Sequence, residues 1–179
     1  MIELPIDGEL SVRQAALGDA EDLFALVDRN RDYLGRWLPW PGAIATVDDE
    51  RAFLRMAAGQ WEARAEFVGL VVLSGRLIGA VTLHDLDLGA KKAAIGYWLD
   101  EGCQGQGYAT RAVQAMQEFA FGLGCTRLEI LVDVGNARSR ALAERLGYRL
   151  AEIRPQAMVT GVDAEVDDEA VYVLDAAPV

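Results

Sequence analysis

The chain has 179 residues, of which 52% are hydrophobic and 25% are charged, and its net charge at pH 7 is −11. This composition is that of a globular protein and excludes a disordered chain. A surface of that sign repels nucleic acid, so the charge argues against direct nucleic-acid binding and favours a cationic partner such as an amine or a basic protein. Acidity that only aids solubility explains the charge equally well.

The length fits one domain, which we expect to span residues 1–179. The N-terminus lacks the basic start and apolar run of a signal peptide, and no segment reaches the roughly 18 apolar residues of a membrane span. We therefore expect a cytoplasmic protein without a membrane partner. Cys103 and Cys125 have neither metal-ligand spacing nor a disulfide pattern, and with one His in the chain no metal site is expected.

Hydrophobic periodicity and turn residues divide the chain into strands and helices. Asp19 suits the N-cap of the first helix, and Ser74-Gly75 suits the tip of a tight hairpin. In chain order the predicted elements are a strand at 9–16, a helix at 20–30, an ordered aromatic loop at 33–42, a helix at 48–62, strands at 65–73, 76–83 and 93–99, a helix at 107–123, a strand at 127–134, a helix at 136–146, and strands at 148–153 and 169–174.

The order of these elements predicts the fold class. Strands follow one another directly in the first half, which favours antiparallel pairing, whereas strands alternate with helices in the second half. The sequence therefore predicts an α/β (α+β) domain with a mixed, largely antiparallel central sheet flanked by helices.

A glycine-rich turn joins the strand at 93–99 to the helix that begins near Gly107. A helix start leaves free backbone N–H groups and a positive dipole end, which bind phosphate where the backbone can come close. Gly102, Gly105 and Gly107 remove the side chains that would block that approach. The dinucleotide pattern is absent, because Thr110 stands where its third glycine is required, and the chain contains no Gly-Lys-Ser/Thr sequence. A plain turn is the alternative reading.

This turn resembles a known signature. Gln104-x-x-Gly107-x-Ala109 matches Gln/Arg-x-x-Gly-x-Gly/Ala of the GNAT acetyltransferases. Over roughly residues 10–175 the chain is similar to their ribosomal-protein N-terminal acetyltransferase (RimJ/RimL-like) branch. The segments that carry this similarity are 37–40, 95–99, 107–110, 136–139 and 144–148. The resemblance implies a GNAT-type sheet whose central strands, 93–99 and 127–134, splay apart to form a cleft.

The resemblance also implies acetyl-CoA as co-substrate and assigns its contacts. Backbone amides of the turn would hold the CoA diphosphate, and main-chain groups near Trp98 and Leu99 would pair with the pantetheine arm as a partner strand would. Asn136 would contact the same arm, and helix capping is a role that can coexist with it. The implied cofactor-binding residues are Trp98, Leu99, Gln104, Gly105, Gln106, Gly107, Tyr108, Ala109, Thr110 and Asn136.

The implied reaction is direct attack of an amine on the acetyl thioester, after which the CoA thiolate needs a proton. Many GNAT members supply it from a Tyr seven residues after the Asn, where this chain has Ala143. The RimL-like branch carries a Ser three residues after the Asn, which makes Ser139 the candidate donor. The alternative for Ser139 is a first-turn helix residue that bonds only to the backbone.

The base that deprotonates the amine is less well marked. The RimL-like branch implies a carboxylate on the strand after Tyr148, but residues 153–158 contain none. Glu129 is the candidate, because its face of the strand is predicted to line the cleft. A solvated or ion-paired Glu129 is one alternative, and deprotonation through water is another.

Three further side chains are candidates for the site. His84, which lies near Asp85 and Asp87, has a side chain whose ordinary pKa suits a base, and a structural His is the alternative. Trp37 and Trp40 would either line an acceptor pocket or pack in the core.

Three functions remain open from the sequence. The first is acetylation of a protein α-amine, with a basic ribosomal protein N-terminus as the acceptor. The second is acetylation of a small amine such as an antibiotic, a polyamine or an amino-acid derivative. The third is a non-catalytic acyl-CoA-binding module. RimL-like relatives are often dimers, so the resemblance also implies a homodimer.

Overall fold

A computed structural model describes residues 1–176 of the chain. Its eight strands are β1 (Glu3–Pro5), β2 (Leu10–Gln14), β3 (Phe67–Leu73), β4 (Arg76–Asp87), β5 (Lys92–Leu99), β6 (Arg127–Asp133), β7 (Arg149–Thr160) and β8 (Glu165–Asp175). They form one sheet in the order β1-β2-β3-β4-β5-β6-β8-β7. Every neighbouring pair is antiparallel except β5 and β6, which are parallel. The predicted mixed, largely antiparallel sheet is thereby confirmed.

Helices cover both faces of this sheet. They are α1 (Ala20–Arg29), α2 (Arg31–Leu34), α3 (Val47–Glu62), α4 (Tyr108–Gly122) and α5 (Ala137–Arg145). Successive strand residues point to opposite faces. Leu70 accordingly packs with α1 and α3, while its neighbour Val71 packs in the larger core cluster with Val113 and Met116 of α4. No helix within residues 1–176 is both long enough and apolar enough to cross a membrane.

Asp19 occupies the N-cap position of α1 as predicted, but its side chain makes no capping hydrogen bond. Its carboxylate accepts a hydrogen bond from the Ala16 backbone N–H at 2.8 Å and two from the Arg13 guanidinium at 2.8 and 2.6 Å. The ion pair with β2 therefore takes the oxygens that a capping side chain would use. Thr46, by contrast, caps α3 by accepting from the Asp49 N–H at 3.2 Å.

Several element boundaries differ from the prediction. The segment 33–42 is not wholly a loop, because it contains the end of α2 and a 3₁₀ turn at Pro41–Ala43. β1 was not predicted, since three residues with a proline give no periodic signal. β4 runs on to Asp87, which places His84 inside the strand and not after it.

The last two strands form a hairpin much longer than predicted. β7 is an edge strand with exposed side chains on both faces, so it lacks the alternation that marks a half-buried strand. It also contains Pro155, which lies where the register with β8 shifts between Arg154 and Met158. Edge positions and bulges are where a strand tolerates proline, so the strand continues past residue 153, where the predicted strand ends.

Candidate active site

A cleft opens where β5 and β6 stop pairing. The two strands are in register only over Lys92–Ala94 and Arg127–Glu129, and Ala94 with Glu129 is the last pair. Beyond it the strands diverge, and residues 95–99 and 130–133 line a cleft of about 990 Å³. The splayed central strands that the resemblance implies are therefore present. Main-chain groups on the β6 side of β5, such as those of Leu99, have no partner in β6 there. Trp98 instead lies opposite Ala80 in the ladder with β4.

One end of the cleft is the turn that precedes α4. Gly105 and Gly107 have φ of +74° and +77°, in the left-handed region that favours glycine. A Cβ at either position would meet nothing within 4 Å, so the space in front of this backbone is open. The helical hydrogen bonds of α4 begin with the Arg111 N–H, which donates to the Gly107 carbonyl at 3.1 Å. The N–H groups of residues 108–110 therefore have no partner within the helix. Residues 104–110, all of them predicted cofactor contacts, line the cleft.

Three arginines surround this helix start and also line the cleft. Arg138 donates to the Gln104 side-chain oxygen, and Arg145 donates to Thr110 Oγ1 at 3.3 Å. Arg111 lies over the Tyr108 ring, 5.2 Å from its centroid. Arg111 is paired with Asp7, so Arg138 and Arg145 are the cations that, in a chain of net charge −11, make the turn a locally positive surface suited to phosphate. The glycine pattern does not reveal these arginines, although Arg138 falls inside the 136–139 segment.

The middle of the cleft contains a pair of hydroxyl groups. Asn136 Oδ1 accepts from the Ser139 N–H at 3.1 Å, so Asn136 caps α5 and fixes its first turn. Ser139 Oγ lies 2.7 Å from the Tyr97 hydroxyl. Burial raises the pKa of Tyr97 to about 12, which keeps the phenol protonated at neutral pH. The pair can therefore deliver a proton to a leaving group. Sequence reasoning found Ser139 and missed Tyr97, because their contact spans 42 residues.

Glu129 does not reach the cleft. It occupies the last paired position of β6, opposite Ala94, and its carboxylate accepts from Arg127 Nε at 3.3 Å. Its face of the strand does line the cleft, but only from Leu131 onward, where β5 has moved away. The structure thus corresponds to the ion-paired alternative for Glu129.

The cleft contains a carboxylate that sequence reasoning missed. Asp133 lies on the same face of β6 as Leu131 and is 8% exposed. It is the only acidic side chain among the described residues that line the cleft. Its Oδ1 accepts from the Gly135 N–H at 2.5 Å. Burial and, less strongly, the negative charge of Asp167 raise the pKa of Asp133.

The remaining candidates separate into two groups. Trp37 lines the cleft, whereas Trp40 packs against Trp98, with ring centroids 5.9 Å apart, in the core below α1 and α3. His84 lies outside the cleft lining, and its Nδ1 is 2.8 Å from Asp85 Oδ2. Of these three side chains only Trp37 can contact an acceptor in this cleft.

The wall around Trp37 is completed by the tip of the β7–β8 hairpin. Met158 and Val159, near the end of β7, line the cleft together with Trp37. The tip is anchored by the Val162 N–H, which donates to the Gly35 carbonyl at 3.0 Å. A Cβ on Gly35 would lie 2.9 Å from Val162 Cγ1, so only glycine allows this approach. The cleft thus has an apolar half at the hairpin and a positive half at α4.

A positive helix start and a pair of hydroxyl groups in one cleft suit the transfer of a group from a phosphate-bearing carrier. A family model described as an acetyltransferase (GNAT) domain matches residues 9–149, and the chain belongs to that family. This confirms the predicted family and the predicted kind of enzyme, an N-acetyltransferase.

Relatives and solved structures agree with this assignment. YdaF of Bacillus subtilis (strain 168), provisionally named as a ribosomal N-acetyltransferase, is 31% identical over 153 residues, which are 83% of this chain and 82% of YdaF. The ribosomal-protein-serine acetyltransferase of Escherichia coli (strain K12) is 27% identical over 155 residues, 86% of this chain and 87% of its own. RimL, a ribosomal L7/L12 alpha-N-protein acetyltransferase solved with coenzyme A, superposes with a TM-score of 0.92 at 26% identity and 98% coverage of both chains.

Proposed function

We propose that the protein transfers the acetyl group of acetyl-CoA to the α-amine of a protein N-terminus, with a basic ribosomal protein as the acceptor. The observation that carries the proposal is the single cleft that joins the open turn at Gly105 and Gly107 to the Ser139–Tyr97 pair. The acceptors of the E. coli relative and of RimL support a protein amine.

The donor would be held along the gap between the strands. Its diphosphate fits the free N–H groups of residues 108–110, with Arg138 and Arg145 beside them. The pantetheine arm would pair with main-chain groups of β5 near Trp98 and Leu99, as an added strand pairs with a sheet edge. Asn136 uses its side-chain oxygen to cap α5, which leaves the amide NH₂ to donate to the same arm.

The chemistry needs two proton movements. An α-amine has a pKa of about 7.7–8.0 and is partly neutral near pH 7, whereas a lysine amine near 10.4 is almost wholly charged. A protein N-terminus is therefore the easier nucleophile. After attack on the acetyl carbonyl, the departing sulfur takes the proton of the Ser139 hydroxyl, and the Tyr97 hydroxyl replaces it across their 2.7 Å contact. The proton that the nitrogen loses as the amide forms then returns to Tyr97 through water. Main-chain N–H groups on the gap side of β5 stabilise the negative carbonyl oxygen.

We propose that the enzyme is a cytoplasmic homodimer that binds neither nucleic acid nor membrane. The negative net charge supports the exclusion of nucleic acid. The edge strand β7 exposes Leu150, Ile153 and Val159, and a second copy that covered this edge would remove them from water. Light scattering of the purified protein would give the mass of two chains, and a monomer would contradict the dimer.

The acceptor is tested by thiol release and mass spectrometry. Peptides that begin with Ser, Ala or Met are compared with the same peptides blocked at the α-amine and with polyamines. The expected result is one added acetyl group on the free peptides and none on the blocked ones. Preferred acetylation of polyamines would contradict a protein acceptor. Binding of acetyl-CoA with no release for any amine would contradict an enzyme.

The donor site is tested by Gly107→Glu. The added carboxylate lies at the proposed diphosphate position and repels it. Acetyl-CoA affinity should fall at least about 100-fold, or about 2.8 kcal/mol, which is less than the interaction of about 4 kcal/mol between two close charges in a protein site. Gly124→Glu is the matched control, because Gly124 also has a positive φ and open space around it but lies at the far end of α4. Calorimetry of a folded Gly107→Glu variant that gave unchanged affinity would refute the site.

A further inference from the structure

The proposed reaction requires a group that receives the proton of the incoming ammonium. Glu129 lies outside the cleft and cannot do so. We propose that Asp133 binds the ammonium group of the acceptor and takes its proton before attack, an inference that rests on the proposed acetyl transfer.

The first argument is position. Among the described residues that line the cleft, Asp133 supplies the only carboxylate, and the arginines Arg111, Arg138 and Arg145 all lie at the turn before α4. The cleft is therefore positive where the phosphates of the donor bind and negative at Asp133. An ammonium group entering the cleft is attracted to the one acidic side chain and repelled by the cofactor end.

The second argument is that one short segment holds the base and the acid together. The Asp133 carbonyl accepts from the Asn136 N–H at 2.9 Å, and the Asn136 side chain accepts from the Ser139 N–H at 3.1 Å. Ser139 contacts Tyr97. The turn that ends β6 therefore fixes the distance between Asp133 and the proton donor of the leaving group, as a reaction that attacks and releases within one site requires.

The third argument is the setting of the carboxylate. The Gly135 N–H holds Oδ1, and the Asp167 carboxyl lies within hydrogen-bond reach of the same carboxylate. From β8, Asp167 adds a negative charge, while Glu169, the cross-strand partner of Asp133, is neutralised by Arg154 of β7 at 3.1 Å. The raised pKa of Asp133 makes it a stronger base than an ordinary aspartate.

Each proton that moves in the proposed reaction has a donor and an acceptor among the residues of the cleft and water. The ammonium N–H bond breaks, and its proton passes to the Asp133 carboxylate. The nitrogen lone pair then attacks the acetyl carbon, and the carbon–sulfur bond breaks as the sulfur takes a proton from Ser139. The attacking nitrogen loses its second proton as the amide forms, and that proton returns through water to the Ser139–Tyr97 pair. Asp133 releases its proton to water once the amide, which carries no charge, has left.

The test compares Asp133→Asn with wild type in kcat, KM and acetyl-CoA affinity between pH 6 and pH 9. Asn keeps the shape but cannot take a proton. We expect kcat at pH 7 to fall at least about 100-fold, the usual contribution of a general base, with acetyl-CoA affinity unchanged. The loss should shrink toward pH 9, where more of the α-amine is already neutral. Asp22→Asn, an exposed change on α1, is the matched control.

Asp167→Asn provides a readout that a purely structural role would not move. Removing this charge lowers the pKa of Asp133, so the acid limb of the kcat/KM profile should shift to lower pH while the plateau is retained. An Asp133→Asn enzyme with kcat within threefold of wild type and the same pH profile would overturn the inference.

The inference and the proposed acceptor can fail separately. If wild type acetylates only a small amine, the protein acceptor is wrong, and the same variants are compared on that amine. If no amine is acetylated, calorimetry of alanine amide binding to the CoA-bound protein tests the ammonium site by itself. Binding at least tenfold weaker in Asp133→Asn supports an ammonium site there, and equal binding or none in wild type overturns it.

Discussion

Glu50 is a carboxylate on the buried face of α3. It is 2% exposed and shares that face with the buried Leu54 and Ala57, of which Leu54 packs against α1. Burial and then the adjacent charge of Asp49 raise the pKa of Glu50 from its ordinary 4.5 to about 7. The folded protein therefore holds a proton on Glu50 that the unfolded chain releases near pH 4.5.

The sign of the effect on stability follows from this difference. Because the folded pKa is the higher one, the contribution of Glu50 is fully favourable below about pH 4.5 and is lost as the pH rises toward 7. A difference of one pKa unit between the folded and unfolded states corresponds to about 1.4 kcal/mol. The free energy of unfolding therefore falls by up to about 3 kcal/mol as the pH rises through this range. Gln keeps the shape without the charge but forgoes about 0.3–1 kcal/mol of helix-dipole attraction at this N-terminal turn. We expect Glu50→Gln to be about 2 kcal/mol more stable than wild type at pH 8.

Urea unfolding followed by tryptophan fluorescence measures this difference at pH 5 and pH 8. The gain of Glu50→Gln over wild type should be present at pH 8 and small at pH 5. Glu62→Gln, an exposed change on the same helix, should change stability little at either pH. A Glu50→Gln variant that is no more stable than wild type at pH 8, or equally stabilised at both values, would refute the reasoning.

Two further outcomes concern the cleft. Ser139→Ala removes the hydroxyl next to Tyr97, so turnover should fall at least about tenfold while acetyl-CoA affinity in a binding titration stays within twofold; equal turnover would remove Ser139 from the chemistry. Arg138→Ala removes a cation beside the diphosphate turn, so acetyl-CoA should bind about tenfold more weakly at low salt, with a smaller difference at high salt; a salt-independent loss would contradict a charge effect.

The features that the sequence predicted well are local. The glycine turn before α4 and the Asn136 cap of α5 depend on a few consecutive residues, and both are where the pattern placed them. The ladder between β5 and β6 has only three residue pairs, and no local pattern marks its end. That end decides that Glu129 is paired and Asp133 faces the cleft, so the identity of the base could not be read from alternation alone.

The β7–β8 hairpin is a second feature that local sequence patterns predict poorly. Exposed side chains and Pro155 removed the periodic signal of β7, although its backbone pairs with β8 over most of its length. Tyr97 was predicted on a strand face, but its partner Ser139 is brought near only by the parallel crossover through α4.

The two halves of the cleft come from different stretches of chain. The donor side is built from residues 98–139, whereas the opposite wall combines residues near Trp37 with a hairpin tip that contacts Gly35. Substitutions or length changes at that tip can therefore change which acceptors bind without changing the residues that bind the donor. Proteins that share this fold can therefore differ in their acceptor while they keep the same acetyl donor. The 158–162 segment is accordingly the place to engineer new acceptor selectivity.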